Sequence, residues 1–574
     1  MGKILRYLRH YKLESVLGPL FKMLEALFEL FIPLVVADIV DVGIANGDTR
    51  YILSRCGLMV LLGLVGLIAS ITAQYFSAKA AVGMACELRE ALFAKIGKLS
   101  FADTDRFGTS TLLSRTTADV NQIQNTVNLV LRLFLRSPFI VFGAMIMAFL
   151  VSPPAARTFF VTIPALSVVV FGIMLISIPL YGRVQARLDR VLGLTRENLK
   201  GARVVRAFVQ EKEASAEFAT ANAALTKLQR FSGRVSALLN PLTYVIINLS
   251  ILAIVYLGGV QVNAGSLQTG EVIALYNYMS QILVELIKLA NFIILITKAC
   301  ACGKRINQIF DAPDGLPVAD EKQNMCHNGV EFRDVSLSYS EGGEQVLSHI
   351  TFHAHAGETV GIIGGTGAGK SSLVNLIPRF YDVSEGCVLV GGADVRAQDT
   401  ATLRAAIGIV PQKAELFAGS VRDNLRFGCA DADEATMMEA LTAAQAADFV
   451  LAKEGGLDAV VEQGGRNLSG GQRQRLTIAR ALCRRPRILI LDDSASALDY
   501  ATDAALRASI ASLPYHPTVF IVSQRTASIE AADRILVLDD GEAVGIGTHR
   551  ELLDSCPVYR EIYDSQFKGE EVSA

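Results

Sequence analysis

Six long apolar segments in the first 310 residues constrain this chain more than any other feature. They lie near residues 16–40, 52–80, 130–151, 158–181, 240–261 and 270–297. Each can cross a hydrocarbon core as a helix, which takes about 20 residues. A segment inside lipid must satisfy its backbone hydrogen bonds internally, which favours helices. The sequence therefore predicts an α-helical membrane domain of six transmembrane helices over residues 1–310.

Composition agrees with a chain that is only half membrane-embedded. Of the 574 residues, 51% are apolar and 19% are charged, and the mean hydropathy is +0.38. The excess of apolar residues lies in residues 1–310. The net charge of −2 gives no electrostatic reason to expect nucleic acid as a partner. Cys300 and Cys302 form a C-x-C pair, but no second pair stands at zinc spacing, so no zinc site is expected.

Basic residues predict the orientation in the membrane. Residues 81–126 and 182–238 are rich in Lys and Arg, and the second of these stretches holds eleven. The other connections between spans are short and hold only Arg50 and Arg157. Because basic loops stay in the cytosol, both termini should be cytoplasmic. The two basic loops are long and helix-like, so they are interpreted as spans that continue into the cytosol.

A few polar side chains fall inside the predicted spans. They are Glu25, Glu29, Asn248, Gln281 and Glu285. Charge is costly in a bilayer, so these groups should face a cavity or a partner helix. Contact with a transported substrate is one interpretation; packing, or exposure to a wet cavity without substrate contact, is the other and is preferred. Arg132 and Arg136 enter the third span from its cytoplasmic side, where we expect them to snorkel towards the interface.

The second half of the chain has the pattern of a nucleotide-binding domain. A polar, Pro- and Gly-bearing linker over residues 311–328 precedes it, and the domain covers 329–574. The short apolar strand Thr359 to Ile363 leads into a glycine loop, and a helix follows from Ser372. In this strand–loop–helix context, backbone N–H groups surround phosphate oxygens, Lys370 reaches the β- and γ-phosphates, and the Ser371 hydroxyl ligates Mg²⁺. The loop residues are Gly364, Gly365, Thr366, Gly367, Ala368, Gly369, Lys370, Ser371 and Ser372.

A second buried strand, residues 488–492, ends in the carboxylate of Asp492. In phosphate-loop enzymes an aspartate at this place holds the Mg²⁺ shell. The sequence therefore predicts ATP and Mg²⁺ as cofactors.

One pentapeptide identifies the family that this chain resembles. Leu468, Ser469, Gly470, Gly471 and Gln472 match the signature of the ABC transporter ATPases. Six spans ahead of one ATPase resemble the half-transporter layout of ABC exporters. The resemblance covers almost the whole chain. It implies a membrane domain of the ABC exporter type, followed by an α/β P-loop NTPase domain with a helical subdomain.

The resemblance also assigns further residues. Tyr339 resembles the aromatic residue that stacks on adenine, and Gln412 resembles the glutamine that senses the γ-phosphate and binds Mg²⁺. Asp499 closes a D-loop-like sequence, and residues near 101–107 and 200–209 resemble coupling helices. In the family, each ATP lies between one subunit's phosphate loop and the other's signature. A second half-transporter, a small-molecule or lipid substrate and the bilayer of a bacterial cell (inner) membrane are the implied partners and setting.

Two positions depart from the family pattern. Asp493 stands where the family usually has the glutamate that acts as general base, and Gln524 stands where it has a histidine that contacts the γ-phosphate. The shorter side chain withdraws the carboxylate by about 1.5 Å, roughly one C–C bond. A misplacement of about 1 Å can cost on the order of a hundredfold in rate, and one lost donor roughly 10²–10³. We interpret the site as degenerate, binding ATP but hydrolysing it slowly.

A degenerate site with an intact signature predicts a division of labour. The signature of this chain would complete the site of a different subunit that carries the glutamate and the histidine. The favoured function is export of a drug-like or lipid-like substrate by such a heterodimer, in which this chain is an ATP-hydrolysing translocase subunit. A homodimeric exporter, an importer built on the same fold and a membrane-tethered regulatory ATPase are the alternatives.

Overall fold

A computed structural model describes residues 2–316, 325–339 and 342–567, with the side chains of Ala290 and Phe567 left out. The chain divides into two compact units. One unit comprises Met1–Gly97 and Gly108–Ala312, and the other comprises Lys98–Phe107 and Pro313–Ala574. Part of the predicted linker, residues 317–324, lies outside the described residues.

The first unit is helical. Its helices are α1 (Gly2–Leu5), α2 (Lys12–Asp38), α3 (Thr49–Ile96), α5 (Thr109–Ser114), α6 (Val120–Leu133), α7 (Arg136–Val151), α8 (Pro153–Lys200), α9 (Ala202–Ala207), α10 (Glu211–Ala237), α11 (Leu239–Asn263) and α12 (Thr269–Asp311). The helix α4 (Phe101–Phe107) clusters with the second unit. Helices α3 and α8 have 48 residues each, far more than the ~20 that a bilayer requires. This length agrees with spans that continue beyond the membrane.

Five helical stretches of the described chain are long and apolar enough to cross a membrane. They are Thr49–Ile96, Thr109–Val151, Pro153–Lys200, Glu211–Asn263 and Thr269–Asp311. The first predicted span lies on α2, which carries Lys22, Glu25 and Glu29 and is not among these five. Six transmembrane helices therefore remain a prediction. Only 11% of the most apolar window of α3 is buried inside the protein, as expected for a surface that faces lipid.

The second unit contains a six-stranded sheet and a four-stranded antiparallel sheet. The strands are β1 (Val330–Leu337), β2 (Leu347–Ala354), β3 (Thr359–Gly364), β4 (Glu385–Val390), β5 (Ala393–Asp394), β6 (Ile407–Val410), β7 (Gly419–Ser420), β8 (Val460–Val461), β9 (Ile488–Asp492), β10 (Thr518–Val522), β11 (Arg534–Asp539) and β12 (Glu542–Gly547). The larger sheet has the order β12-β11-β3-β10-β9-β6, with β12 antiparallel and the others parallel.

Helices cover this sheet and form a helical subdomain. They are α13 (Lys370–Leu376), α14 (Thr400–Ala405), α15 (Val421–Arg426), α16 (Glu434–Ala443), α17 (Ala447–Leu451), α18 (Gly470–Leu482), α19 (Tyr500–Ala511), α20 (His549–Ser555) and α21 (Pro557–Phe567). The strands β9 and β10 are buried at every position, because a parallel sheet is covered on both faces. The predicted α/β nucleotide-binding domain with a helical subdomain is therefore present.

The short helix α4 packs on the surface of the second unit. The Phe101 ring stacks on Phe380 at a centroid distance of 4.2 Å, and the Tyr381 hydroxyl donates to Asp105 at 2.7 Å. The Arg404 guanidinium lies over both phenylalanine rings. Burial and the Asp105 carboxylate raise the pKa of Tyr381. A segment that the sequence places between two spans thus packs within the second unit; its role as a coupling helix stays a prediction.

Candidate nucleotide-binding site

The parallel sheet brings its polar residues to one edge. The strands β3, β10, β9 and β6 are neighbours, and the carboxyl ends of parallel strands meet at the same side of a sheet. The phosphate loop follows β3, Asp492 ends β9, Gln524 follows β10 and Gln412 follows β6. Four distant stretches of sequence therefore converge on one place.

Glycines give the phosphate loop its shape. Gly367 and Gly369 have φ angles of 89° and 88°, in the region that favours glycine. A Cβ added to Gly369 would lie 2.8 Å from the carbonyl oxygen of Val346. Gly369 is the N-cap of α13 and offers no side chain to its first N–H groups. The first N–H groups of α13 therefore have no side-chain acceptor. The N-terminus of a helix with free N–H groups favours the binding of a phosphate.

Lys370 is folded back over this loop. Its ammonium donates to the carbonyl oxygens of Gly364 and Gly365 at 2.9 and 2.6 Å. Burial lowers its pKa, while the carboxylates of Asp493 and Asp492 act in the opposite direction. Its present partners are neutral, and hydrogen bonds to an anion are stronger. A phosphate oxygen would therefore be a better partner for this buried charge.

Asp492 and Ser371 form the second element of the site. The Ser371 hydroxyl donates to Asp492 Oδ1 at 2.9 Å. Burial raises the pKa of Asp492, against the effect of the Ser371 hydrogen bond. The hydroxyl, the carboxylate and the side-chain oxygen of Gln412 are hard oxygen donors of the kind that Mg²⁺ prefers. This donor set fits the ion.

Asp493 and Gln412 are in direct contact. The Gln412 amide donates from Nε2 to Asp493 Oδ2 at 3.2 Å. Asp493 has a φ of 45°, and its N–H donates to the carbonyl oxygen of Val522 at 3.0 Å. A left-handed backbone is sparsely populated outside glycine, although aspartate tolerates it better than most residues. The carboxylate is thus fixed by its backbone and by a neighbouring side chain.

Gln524 is held by a residue of α21 that was not predicted. The Gln566 amide donates from Nε2 to the carbonyl oxygen of Gln524 at 2.8 Å. The Gln566 side-chain oxygen accepts from both the N–H and the hydroxyl of Thr526 at 3.0 Å. Gln566 lies on α21, about 40 residues further along the chain, and no motif marks it. Only the docking of α21 against the loop after β10 reveals this contact.

A cavity of about 340 Å³ lies at this edge of the sheet. The predicted residues that line it are Thr366, Gly367, Gly369, Lys370, Ser371, Ser372, Gln412, Asp492, Asp493 and Gln524. Val346 and Val522 also line it and were not predicted. We call Lys370, Ser371, Gln412, Asp492 and Asp493 the phosphate-loop cluster.

Other predicted site residues do not line this cavity. Tyr339 is outside the cavity lining, although its hydroxyl is 2.8 Å from Ser372 Oγ and its ring meets Tyr381 edge-on at 5.0 Å. Ser469 is the N-cap of α18 and accepts from the Gln472 N–H, while Asp499 is the N-cap of α19. The predicted residues outside the cavity lining are Tyr339, Gly364, Gly365, Ala368, Leu468, Ser469, Gly470, Gly471, Gln472 and Asp499.

The fold and this site define a fused ABC-type transporter subunit, and comparisons with known proteins agree. The family described as ABC transporter transmembrane region matches residues 15–286, and the family described as ABC transporter matches residues 347–496. An uncharacterised ABC transporter ATP-binding protein of Mycobacterium tuberculosis is 39% identical over 98% of this chain and 97% of its own. The chain belongs to the ABC transporter family, and its ATPase domain binds ATP.

Two further likenesses are to a flippase and to an exporter. An ATP-dependent lipid A-core flippase of Syntrophus aciditrophicus is 33% identical over 85% of this chain and 81% of its own. A bacterial Atm1-family ABC exporter with ATP bound has a TM-score of 0.81, at 24% identity, over 98% of both chains. The predicted half-transporter layout, a helical membrane domain fused to one ABC ATPase, is thereby confirmed.

Proposed function

We propose that this chain is an ATP-driven exporter of a small hydrophobic or amphipathic substrate, and that it contributes a slowly hydrolysing ATP site to a heterodimer. The observation that carries the proposal is the composition of one cavity. Lys370, Ser371 and Asp492 retain the groups that hold MgATP, whereas Asp493 and Gln524 occupy the two positions that act on the γ-phosphate. Within this one site, the groups that bind MgATP are retained, whereas the two groups that assist hydrolysis are replaced.

The roles follow from the chemistry of the side chains. Lys370 binds the β- and γ-phosphates, Ser371, Asp492 and Gln412 ligate Mg²⁺, and Tyr339 contacts the adenine. Bound Mg²⁺ neutralises charge on the phosphates. Asp493 is the residue at the position of the general base. Its side chain is shorter than that of glutamate, and its carboxylate already accepts a hydrogen bond from Gln412. Attack by water should therefore be poorly assisted.

The signature residues serve the other nucleotide. Residues 468–472 and Asp499 lie outside the cavity lining, where a second subunit's ATP can meet them. Since the signature is complete, the partner's site keeps its full set of contacts. The likeness to a lipid A-core flippase and to an exporter fold supports export and a lipid-like substrate.

The decisive experiment measures ATPase activity of the chain alone and with its partner half-transporter. Alone, the chain should be nearly inactive, and Asp493→Asn should change little. The double change Asp493→Glu with Gln524→His should raise the rate at least about tenfold, because each change restores a group worth roughly that much or more. Adding Lys370→Ala to this double variant should remove the gain.

An active homodimer would contradict the proposal. If the chain alone forms a homodimer with robust ATPase activity that Asp493→Asn abolishes, the heterodimer proposal is wrong. Transport is measured separately in inside-out vesicles with ATP on the outside. Accumulation of substrate inside these vesicles supports export, and loss of preloaded substrate from them supports import.

A further inference from the structure

A second group of charged side chains lies in the first unit, far in sequence from the phosphate loop. Arg136 on α7 donates to Glu29 on α2 at 2.6 Å and to Glu285 on α12 at 2.7 Å. Lys288 also donates to Glu285, at 2.8 Å, and so does the Ser137 hydroxyl, at 2.6 Å. We call Glu29, Arg136, Glu285 and Lys288 the membrane cluster. Arg136 does not snorkel as expected, because two carboxylates hold its guanidinium inside the helical unit.

This cluster borders a cavity of about 440 Å³, within the size range of small-molecule sites. Asn277, Gln281, Val284 and Lys288 line it from one face of α12, at positions i, i+4, i+7 and i+11. Ile32, Val36 and Ile140 add apolar surface. The cavity thus combines an apolar wall with polar groups at fixed places, as an amphipathic ligand requires.

The two outer members of the cluster remain accessible from the cavity. The Glu29 side chain is 38% exposed and the Lys288 side chain is 42% exposed, whereas Glu285 is only 4% exposed. Among the described residues, Glu29 accepts a hydrogen bond only from Arg136, and Lys288 donates one only to Glu285. Each therefore keeps hydrogen-bonding capacity for a ligand. The buried side-chain oxygen of Gln281 accepts no hydrogen bond from any described residue, which adds an acceptor to the site.

Glu25 shows what a purely structural ion pair looks like on the same helix. It accepts from Lys22 at 2.5 Å, and the Lys22 ammonium also donates to Ser70 at 3.1 Å. Both side chains are at most 19% exposed, and neither lines the cavity. The membrane cluster differs because it opens one carboxylate and one ammonium to a cavity.

We propose that this cavity binds a zwitterionic amphipath, with the cationic group of the ligand beside Glu29 and the anionic group beside Lys288. The two carboxylates and two cations of the cluster balance each other. A ligand with net charge would therefore enter a poorly solvated site without a counter-charge, which is costly. A zwitterion brings no net charge and still uses both exposed groups. The inference rests on the proposed transport function and names its substrate class.

Competition binding tests this assignment without ATP. The full-length protein, together with its partner subunit where the two co-purify, is placed in nanodiscs of phosphatidylglycerol. An acyl-labelled fluorescent lysophosphatidylcholine is the probe. Dodecylphosphocholine, dodecyltrimethylammonium and dodecyl phosphate compete for it, because they share a chain and differ in head-group charge. Phosphocholine without a chain is a fourth competitor and separates a lipid-like ligand from a soluble one.

The wild-type protein should bind the zwitterion about tenfold more tightly than either amphipath that carries a net charge, and free phosphocholine should compete poorly. Each exposed charge is worth on the order of 1 kcal/mol, which is about fivefold in affinity. Lys288→Met should weaken the zwitterion about fivefold and strengthen the cation. Glu29→Gln should weaken the zwitterion similarly and strengthen the anion. Lys288→Arg should keep the wild-type order.

Glu25→Gln is the matched control, and it should leave the order unchanged. A thermal melt of each variant shows whether it is folded. The Lys288→Arg protein keeps the positive charge, so it shows whether a substitution at this position by itself alters ligand binding. The proposal is overturned if the wild-type protein prefers the cation or the anion. It is also overturned if Glu29→Gln and Lys288→Met weaken all competitors equally, or if free phosphocholine competes as well as the amphipath. If the ligand-binding prediction fails while the ATPase experiments still show that the site of this chain hydrolyses slowly, the proposed function is not affected.

Discussion

The phosphate-loop cluster and the membrane cluster solve the same physical problem in different ways. Both bury lysine or arginine beside two carboxylates. In the phosphate-loop cluster, every member lies in a short motif at the end of a parallel strand, so backbone geometry places the charges. In the membrane cluster, Arg136 meets partners 107 and 149 residues away, on two other helices. Local sequence motifs therefore place the residues of the phosphate-loop cluster. The membrane cluster, in contrast, forms only when helices that are distant in sequence pack together.

The largest effect should come from the lysine of the phosphate-loop cluster. Lys370→Ala removes the ammonium that the loop carbonyls hold at 2.6 and 2.9 Å. A hydrogen bond to a charged group contributes about 1.5–3 kcal/mol, so ATP affinity at this site should fall about tenfold to a hundredfold. Binding of a fluorescent ATP analogue measures it. Lys288→Met is the control and should leave ATP affinity unchanged; an equal loss in both variants would mean that the two clusters are not independent.

The next effect concerns the stability of the membrane cluster. Arg136→Met leaves Glu29 and Glu285 without the cation between them, and breaking a buried ion pair typically costs about 3–5 kcal/mol. The midpoint of thermal unfolding should fall clearly. Adding Glu29→Gln should recover much of the loss, because Glu285 and Lys288 then balance each other and no uncompensated charge is left in the cluster. If the double variant is no more stable than the single one, Arg136 acts through packing instead of charge.

These two clusters also mark how far the sequence could be interpreted. The glycine loop, Asp492 and the signature predicted the second domain and most of its cavity, because strand ends fix the positions of such residues. The charges in the spans were visible too, but their partners were not. Arg136 was expected at the interface, since a sequence shows the depth of a residue in a helix and not which helices face it. Gln566, Val346 and Val522 were not predicted, because the sequence does not show which elements lie next to one another.

A smaller effect should appear where α4 docks on the nucleotide-binding domain. Phe101→Ala removes the ring that stacks on Phe380 at 4.2 Å. An aromatic pair contributes about 0.5–1.5 kcal/mol beyond the area it buries. Stimulation of ATPase activity by substrate should therefore fall several-fold, while ATP affinity stays the same. Phe93→Ala is the control because its side chain is exposed. Unchanged stimulation in Phe101→Ala would show that this contact does not transmit substrate binding.

The smallest effect tests the residue that positions the loop after β10. Gln566→Ala removes one hydrogen bond to the Gln524 carbonyl and two from Thr526. Neutral hydrogen bonds contribute about 1 kcal/mol each, so a several-fold change is expected only where residue 524 takes part in hydrolysis. In the Asp493→Glu, Gln524→His background, Gln566→Ala should lower kcat several-fold and leave KM nearly constant. In the otherwise wild-type chain it should do little, because the site there hydrolyses slowly for other reasons. Ser565→Ala, next to it on α21 and bonded only within that helix among the described contacts, is the control. An equal loss of kcat in both backgrounds would show that Gln566 stabilises the domain and does not position residue 524.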